Sequence, residues 1–340
     1  MKKTYTLILL FLLCFIFDSC SNEPTITSFS AMNTFMTVKS FGKNAKKSNL
    51  QIKNEVERLE KILSTTETSS DIFNINNSDL SNVPIHSETH FLLEQSRFFF
   101  ELTDGAFNPA LYPIIKEWGF TTGNYKIPSK EKIIELLPKC NFTDFYFTDN
   151  FVQRPYGFEL DFGAIGKGYA GDISIAILKQ NGIKSAVLDF GGNIQLLGSK
   201  PDGTPWNIGI KNPWKNNLEY NPPVAILKLN DLCIITSGGY ERSFIGDDGE
   251  KYIHIFDGQT GYPVNNNLES VTIICKQGLY GDMLSTSLFV MGQEKAINFW
   301  RKYKDFDFII LTKNKEILYS SSLNDFIKLN YDFNSIHVIE

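Results

Sequence analysis

Apolar residues at Leu50, Ile52, Val56, Leu59, Ile62 and Leu63 recur mostly at three- and four-residue intervals, which predicts an amphipathic helix over 49–63. Before it, Thr34 to Ser40 (TFMTVKS) reads as a first strand that follows a polar linker. After it, STTETSSDIFNINNS is polar and reads as a loop, and a second helix is expected over 88–103. Residues 104–120 (DGAFNPALYPIIKEWGF) mix Pro and Gly with aromatics and fit no single regular element. FELDF, residues 158–162, alternates like a half-exposed strand. DFGAIGKGYAGD (161–172) is a glycine-dense turn opening a helix that ends at Asn181-Gly182.

From Ser185 the pattern changes to short apolar runs: SAVLDF, IQLLG, WNIGI, VAILKL, CIITS, YIHIF and VTIIC. These are strands. Two helices follow, over about 282–291 and 294–303, and then the strands DFIILT and EILYS. No repeat period or long low-complexity linker divides the chain. The expected fold is one compact α+β domain over 31–340, with helices packed on a mainly antiparallel sheet.

The first thirty residues stand apart. Met1-Lys2-Lys3 is positive, and Leu7 to Phe17 is an apolar run of eleven residues, short for a membrane span and suited to a signal peptide. The run ends in Phe17-Asp18-Ser19-Cys20, which resembles a bacterial lipobox, although Asp18 is untypical there. The expectation is a signal peptide over 1–19, a lipidated Cys20 and a linker over 20–30. That predicts an exported protein, lipid-anchored to a bacterial membrane on its periplasmic side. A plain cleaved secretory signal is the other reading.

Composition narrows the function classes. A net charge of −5 over 340 residues argues against a nucleic-acid surface, which needs a basic stripe. Hydrophobic content of 42% fits an ordinary globular core. Beyond the leader only Cys140, Cys233 and Cys275 remain, scattered and without a CxxC. They read as buried thiols, neither a disulfide framework nor a zinc site.

The glycine-dense stretch can be tested against two phosphate templates. A Walker A loop requires a glycine five residues before Gly166 and a hydroxyl residue after Lys167, but Asp161 and Gly168 stand there. Gly166, Gly168 and Gly171 do satisfy G-x-G-x-x-G, and Asp189 follows eighteen residues after Gly171. The charged FELDF segment is unlike a Rossmann first strand, which is buried on both faces. What remains is Asp161, a sharp turn, and Lys167 beside a helix start, where a phosphate can bind or a lysine can simply be solvated. His254 in YIHIFDGQTGYP sits at a strand end beside a turn, suited either to a general base or to a structural bond with the backbone. Asp282 and Thr286 fall on one helical face; they suit Mg²⁺ or ordinary capping. His86 and His90 (HSETH) lack the acid position of a zinc helix and read as surface residues.

Nine segments together carry a stronger signal. MNTFMTVK (32–39), STTETSSDIFNIN, DGAFNPALYPIIKEWGF, ELDFGAIGKGYAGD, VLDFGGNIQLLG, WNIGIKNP, TSGGYERSF, HIFDGQTGYP and GDMLSTSLFVMG (281–292) occur in the order found in the ApbE family. Through them the chain resembles the FAD:protein FMN transferases over nearly its whole mature length. The resemblance implies Mg²⁺-dependent transfer of FMN from FAD to a Thr or Ser hydroxyl of an acceptor protein, with AMP released. The related activity it leaves open is a Mg²⁺-dependent FAD pyrophosphatase, and a third possibility is an FAD-binding lipoprotein without turnover. It implies an FAD site of Met32, Thr66, Ala106, Phe107, Asn108, Asp161, Lys167 and Ile255, with His254 catalytic. Mg²⁺ would be held by the Ala164 carbonyl, Asp282 and Thr286, and the GGN turn at 191–193 would lie near the ligand. The glycines of 161–172 would let the backbone approach FAD. The implied acceptor is a membrane electron-transport subunit. The chain departs from the family pattern at Asn108, usually Asp; at Thr66, often Tyr; and at Phe256-Asp257-Gly258, where the family usually continues with Asp-Pro after isoleucine.

Overall fold

The computed structural model describes residues 23–214 and 221–340; the expected signal segment and Cys20 lie outside them. A nine-stranded sheet forms the centre, in the spatial order 25–31, 34–41, 185–190, 193–197, 233–238, 268–275, 307–312, 316–320 and 335–339. Every neighbouring pair is antiparallel except the last, which is parallel. Seven α-helices are found among the described residues: α1 (Ala45–Leu63), α2 (Asp71–Asn77), α3 (Ser87–Leu102), α4 (Tyr112–Glu117), α5 (Lys130–Leu136), α6 (Gly166–Gln180) and α7 (Gly278–Tyr303). The α+β architecture agrees with the sequence pattern.

Both faces of the sheet are covered. Met36, Val38, Leu188 and Phe190 pack beneath α1 and α6, while Ile235, Ile273 and Phe308 pack beneath α7. On the opposite face Ile234, Ile274, Ile309 and Leu311 meet a three-stranded sheet (206–210, 225–229, 327–329). Burial on two sides explains why VTIIC is apolar without alternation. Cys233 and Cys275 lie directly opposite each other in register as buried free thiols, as expected of core residues.

Several local expectations are corrected. Thr25–Ala31, read as linker, is the edge strand, joined to 34–41 through a two-residue turn at Met32 and Asn33. Both turn residues have positive φ (50° and 57°), the conformation of a tight hairpin. The polar loop contains α2, capped by Ser70 Oγ accepting from Phe73 N–H. FELDF joins no sheet: Asn76 holds it instead, its amide bonding both the N–H and the carbonyl of Leu160. The two expected C-terminal helices form α7, broken in conformation only at Gly292 (φ 77°, ψ 171°). The strand of YIHIF stops at Ile253, so His254 stands just past its end.

Candidate active site

The residues of interest gather at one end of the sheet, and the contact between α6 and α7 organises them. Gly168 N–H donates to Asp282 Oδ2 at 2.9 Å. The helices touch so closely there that a Cβ on Gly168 would lie 2.3 Å from the Gly278 carbonyl oxygen. A Cβ on Gly171 would lie 2.1 Å from the Gln195 amide nitrogen. The glycines expected to admit a ligand are therefore, at 168 and 171, required by packing between protein elements. The G-x-G-x-x-G match has this origin. Its supposed acidic partner, Asp189, accepts from Gly192 N–H at 2.9 Å within the turn. At 166 the space is open: a Cβ would meet only the Met32 sulfur, at 3.9 Å.

Gly168 stands in the first turn of α6, whose N–H groups have no partner within the helix, and Asp282 satisfies one of them. The neighbouring bonds Gly166 N–H to Phe162 O and Tyr169 N–H to Ile165 O are present, and no described N–H donates to the Ala164 carbonyl. Ala164 thus carries a carbonyl oxygen free to accept a ligand. Asp282 is 5% exposed, and burial pushes its carboxyl pKa up, with Lys167 acting in the opposite sense. One turn on, Thr286 Oγ lies 3.2 Å from Ser237 Oγ. Capping does not account for this pair, because α7 begins at Gly278 and its first N–H groups are capped by Asp172 (2.6 Å to Gly278, 2.9 Å to Leu279). One carboxylate, one hydroxyl and one backbone carbonyl form a hard oxygen set of the kind Mg²⁺ prefers. No group of three or more His, Cys, Asp or Glu with metal-binding geometry occurs among the described residues. The residues present fit a magnesium ion that keeps some of its shell for phosphate and water.

Lys167 is close enough to Asp161, Asp282 and His254 to shift the titration of all three. Burial pushes the Asp161 carboxyl up, and its Oδ1 accepts from Gly163 N–H at 2.8 Å. Its backbone N–H reaches the Pro109 carbonyl at 2.9 Å, which ties it to the Ala106–Asn108 segment. Phe107 is buried, and the Asn108 amide is engaged within the protein: Nδ2 donates to Cys140 O and Oδ1 accepts from Ala110 N–H, both at 2.9 Å. Asn108 therefore ties its own loop to the Cys140 carbonyl. Thr66 is exposed beside Ser64, and the adjacent Thr65 bonds the hydroxyl of Tyr112, itself near Asp161.

His254 has a definite tautomer. Its Nδ1 lies 3.1 Å from the Arg242 carbonyl oxygen, which can only accept, so Nδ1 carries the proton and Nε2 the lone pair. Burial, reinforced by the Arg242 and Lys167 charges, lowers its pKa to about 4. At neutral pH it is an uncharged imidazole able to take a proton. Ile255 is buried behind it, its carbonyl accepting from Val264 N–H at 2.8 Å. The HSETH histidines lie elsewhere: His86 bonds Asp71 Oδ1 at 2.8 Å and is exposed, whereas His90 is mostly covered, edge-on to Phe147.

Arg242, Ser237 and Asp172 were not singled out by sequence. An exposed arginine in a turn, a serine at a strand end and an aspartate inside a helix carry no local signal; their roles depend on which elements meet.

An α+β sheet end that brings together a buried carboxylate, a free carbonyl, a lysine and a neutral histidine defines a site for a phosphate-bearing ligand with a hard cation. The ApbE family matches residues 32–310, and the chain belongs to that family. It is 33% identical to an FAD:protein FMN transferase of Klebsiella pneumoniae over 271 residues, covering 78% of this chain and 82% of that one. It is 31% identical to the FAD:protein FMN transferase of Treponema pallidum, covering 73% and 72% respectively. The fold matches the ApbE protein of Thermotoga maritima with a TM-score of 0.80 at 30% identity, over 89% of this chain and 99% of that one. It matches the flavin transferase ApbE of Vibrio cholerae with a TM-score of 0.78 at 25% identity, over the same shares.

Proposed function

We infer that this chain is an FAD:protein FMN transferase, moving FMN from FAD to a Thr or Ser hydroxyl of an acceptor protein. The observation that carries the reading is the neutral His254, its Nε2 lone pair available, near Lys167 and the Asp282 end of α7. The relatives' shared name, FAD:protein FMN transferase, supports it.

The acceptor hydroxyl oxygen attacks the phosphorus on the FMN side of the pyrophosphate. A new phosphorus–oxygen bond forms as the bond to the bridging oxygen breaks. AMP leaves with that oxygen, and the hydroxyl proton passes to His254 Nε2. Arg242, through its carbonyl, holds the imidazole in the accepting tautomer. The Lys167 ammonium offsets charge on the pyrophosphate, and Asp161 beside the Ala106–Asn108 loop orients the flavin. Met32, at the hairpin turn next to Gly166, and Ile255 supply apolar walls. Asp282, Thr286 and the Ala164 carbonyl would hold Mg²⁺, which supplies charge neutralisation at the phosphates.

The N-terminal residues extend the proposal. Residues 1–19 have the build of a signal peptide and Cys20 that of a lipidated residue, which would anchor the enzyme to a bacterial membrane on its periplasmic side. An acceptor in a membrane electron-transport complex suits that location.

Incubating the purified chain with FAD, Mg²⁺ and a candidate acceptor tests the reading by intact mass. An FMN-sized increase on the acceptor, lost with His254→Ala, is expected. FAD breakdown at the same rate with and without acceptor, with no adduct, would identify a pyrophosphatase instead.

A further inference from the structure

The GGN turn leads into a residue that the proposed reaction has not used. Asn193 is 2% exposed, yet neither its Oδ1 nor its Nδ2 has a hydrogen-bond partner among the described residues. A buried primary amide left without partners costs free energy that a core apolar residue would not. Its location gives that cost a purpose. Asn193 stands opposite Ile235 in register, and Gln195, two residues on, shares its face of the sheet. Gln195 Nε2 donates to the Gly168 carbonyl at 3.1 Å, so this is the face that α6 and α7 cover. Ile235 in turn meets α7 at Gly281, where an added Cβ would lie 2.8 Å from Ile235 Cδ1. Asn193 is displaced from Gln195 toward the Gly191–Gly192 turn. That is the end of the sheet where Met32 approaches Gly166 and Ser237 reaches Thr286. Gln195 makes the seam between the helices; Asn193 lies on the same face of the sheet, two residues nearer the Gly191–Gly192 turn.

Resting on the FMN-transferase reading above, we propose that Asn193 is a positioning residue at the floor of this site. Its amide hydrogen-bonds the hydrated cation–pyrophosphate group of FAD. Either half of the amide can make that bond. Nδ2 donates to a phosphate oxygen, or Oδ1 accepts from a cation-bound water. In either case the two unpartnered atoms are there to be satisfied on binding, and the apoprotein bears their cost.

The test uses Asn193→Leu and Asn193→Asp, with titrations of Mg²⁺ alone, FAD alone and both together, followed by calorimetry. Asn193→Leu should unfold at the wild-type temperature or above, since it removes unpartnered polar atoms. It should bind FAD with Mg²⁺ at least about tenfold more weakly, the scale of one hydrogen bond to a charged group. If Nδ2 meets phosphate, both variants weaken FAD binding without metal. If Oδ1 meets a cation-bound water, Asn193→Leu weakens Mg²⁺ binding and Asn193→Asp retains or tightens it. Folded variants that bind both ligands within twofold of wild type would overturn the assignment. Should Asn193→Leu fail to fold, the side-chain NH₂ signals of the wild-type protein, identified by their loss in Asn193→Asp, must shift on adding FAD and Mg²⁺; unmoved signals overturn it equally. A wild-type protein that binds no FAD would instead sink the transferase reading itself.

Discussion

Gly168 and Asp282 are joined by a backbone N–H to carboxylate bond of 2.9 Å across the closest approach of α6 and α7. That one bond ties the two helices together, fixes one oxygen of the buried carboxylate, and satisfies an N–H of the first turn of α6 that no helical carbonyl reaches. Sequence separates the two residues by 114 positions, so neither can be understood from its neighbours.

Gly168→Ala should disrupt both packing and binding. Its Cβ would come within 2.3 Å of the Gly278 carbonyl and 2.9 Å of Asp282 Cβ, and both are rigid parts of α7. Overpacking of this sort costs about 1–3 kcal/mol, sometimes more, and the displaced helix would carry Asp282 with it. Calorimetry should show a lower unfolding temperature, and FAD with Mg²⁺ should no longer raise it. Gly166→Ala is the control, since it meets only the Met32 sulfur at 3.9 Å. It should leave the apoprotein as stable as wild type, and a matching loss there would refute the packing argument.

Asp282→Asn separates stability from ligand response. Burial raises the Asp282 pKa in the folded protein. A carboxyl with a raised folded pKa contributes stability at low pH and loses it as pH rises through the folded value. The neutral amide escapes that loss and can still accept from Gly168. The variant apoprotein should therefore melt higher than wild type at neutral pH, with the gap closing on acidification. Wild type at a hundredfold excess of ligand over Kd gains about 2.7 kcal/mol by mass action, and the variant should gain little. A variant that melts lower at neutral pH would contradict the burial argument.

What the sequence revealed, and what it hid, follows from the range of the interactions. The 3.6-residue pattern of α1 and the apolar runs of the central strands are local, so their elements could be read directly. Asp282 and Thr286 could be paired because both lie on one helix. The meaning of Gly168 and Gly171 could not, because it depends on Gly278 and Gln195, which only the folded chain brings near. Asn76 replaces a missing ladder at Leu160 from 84 residues away, which is why FELDF has strand-like alternation without being a strand. The tautomer of His254 likewise belongs to the Arg242 carbonyl, a backbone atom to which side-chain identity gives no clue.

Asn108 can be used to ask whether the chain tolerates the acid more usual in its family. Here the amide donates to Cys140 O and accepts from Ala110 N–H. Asn108→Asp keeps the second bond and turns the first into a contact between two acceptors. Leaving such a group unsatisfied costs about 1–3 kcal/mol. Thermal unfolding should show that loss above the carboxylate range, with recovery as the acid protonates at low pH. If the variant is as stable as wild type at pH 7, the loop re-forms around the carboxylate, and Asn108 does not hold it.

His254 gives a prediction with a defined pH window. Its folded pKa is about 4, against an unperturbed value near 6.5 in the unfolded chain. Between those values the unfolded chain binds a proton that the folded protein does not, so stability rises with pH there. The His254 contribution is complete above about pH 6.5 and is lost as pH falls toward about 4. Asp161 and Asp172, whose folded pKa values are raised by burial, act in the opposite direction, so the histidine must be isolated by subtraction. His254→Asn keeps a polar side chain but does not titrate. The difference in unfolding free energy between wild type and variant should slope only between pH 4 and 6.5. Transfer should fall about 10²–10⁴-fold in the variant, the usual contribution of a general base, while FAD binding persists. Arg242→Gln, which removes a nearby positive charge, should raise the histidine pKa and move the acid edge of the stability curve upward. A flat difference curve, or an imidazole that titrates near 6.5 by NMR in the folded protein, would show that burial does not hold His254 neutral.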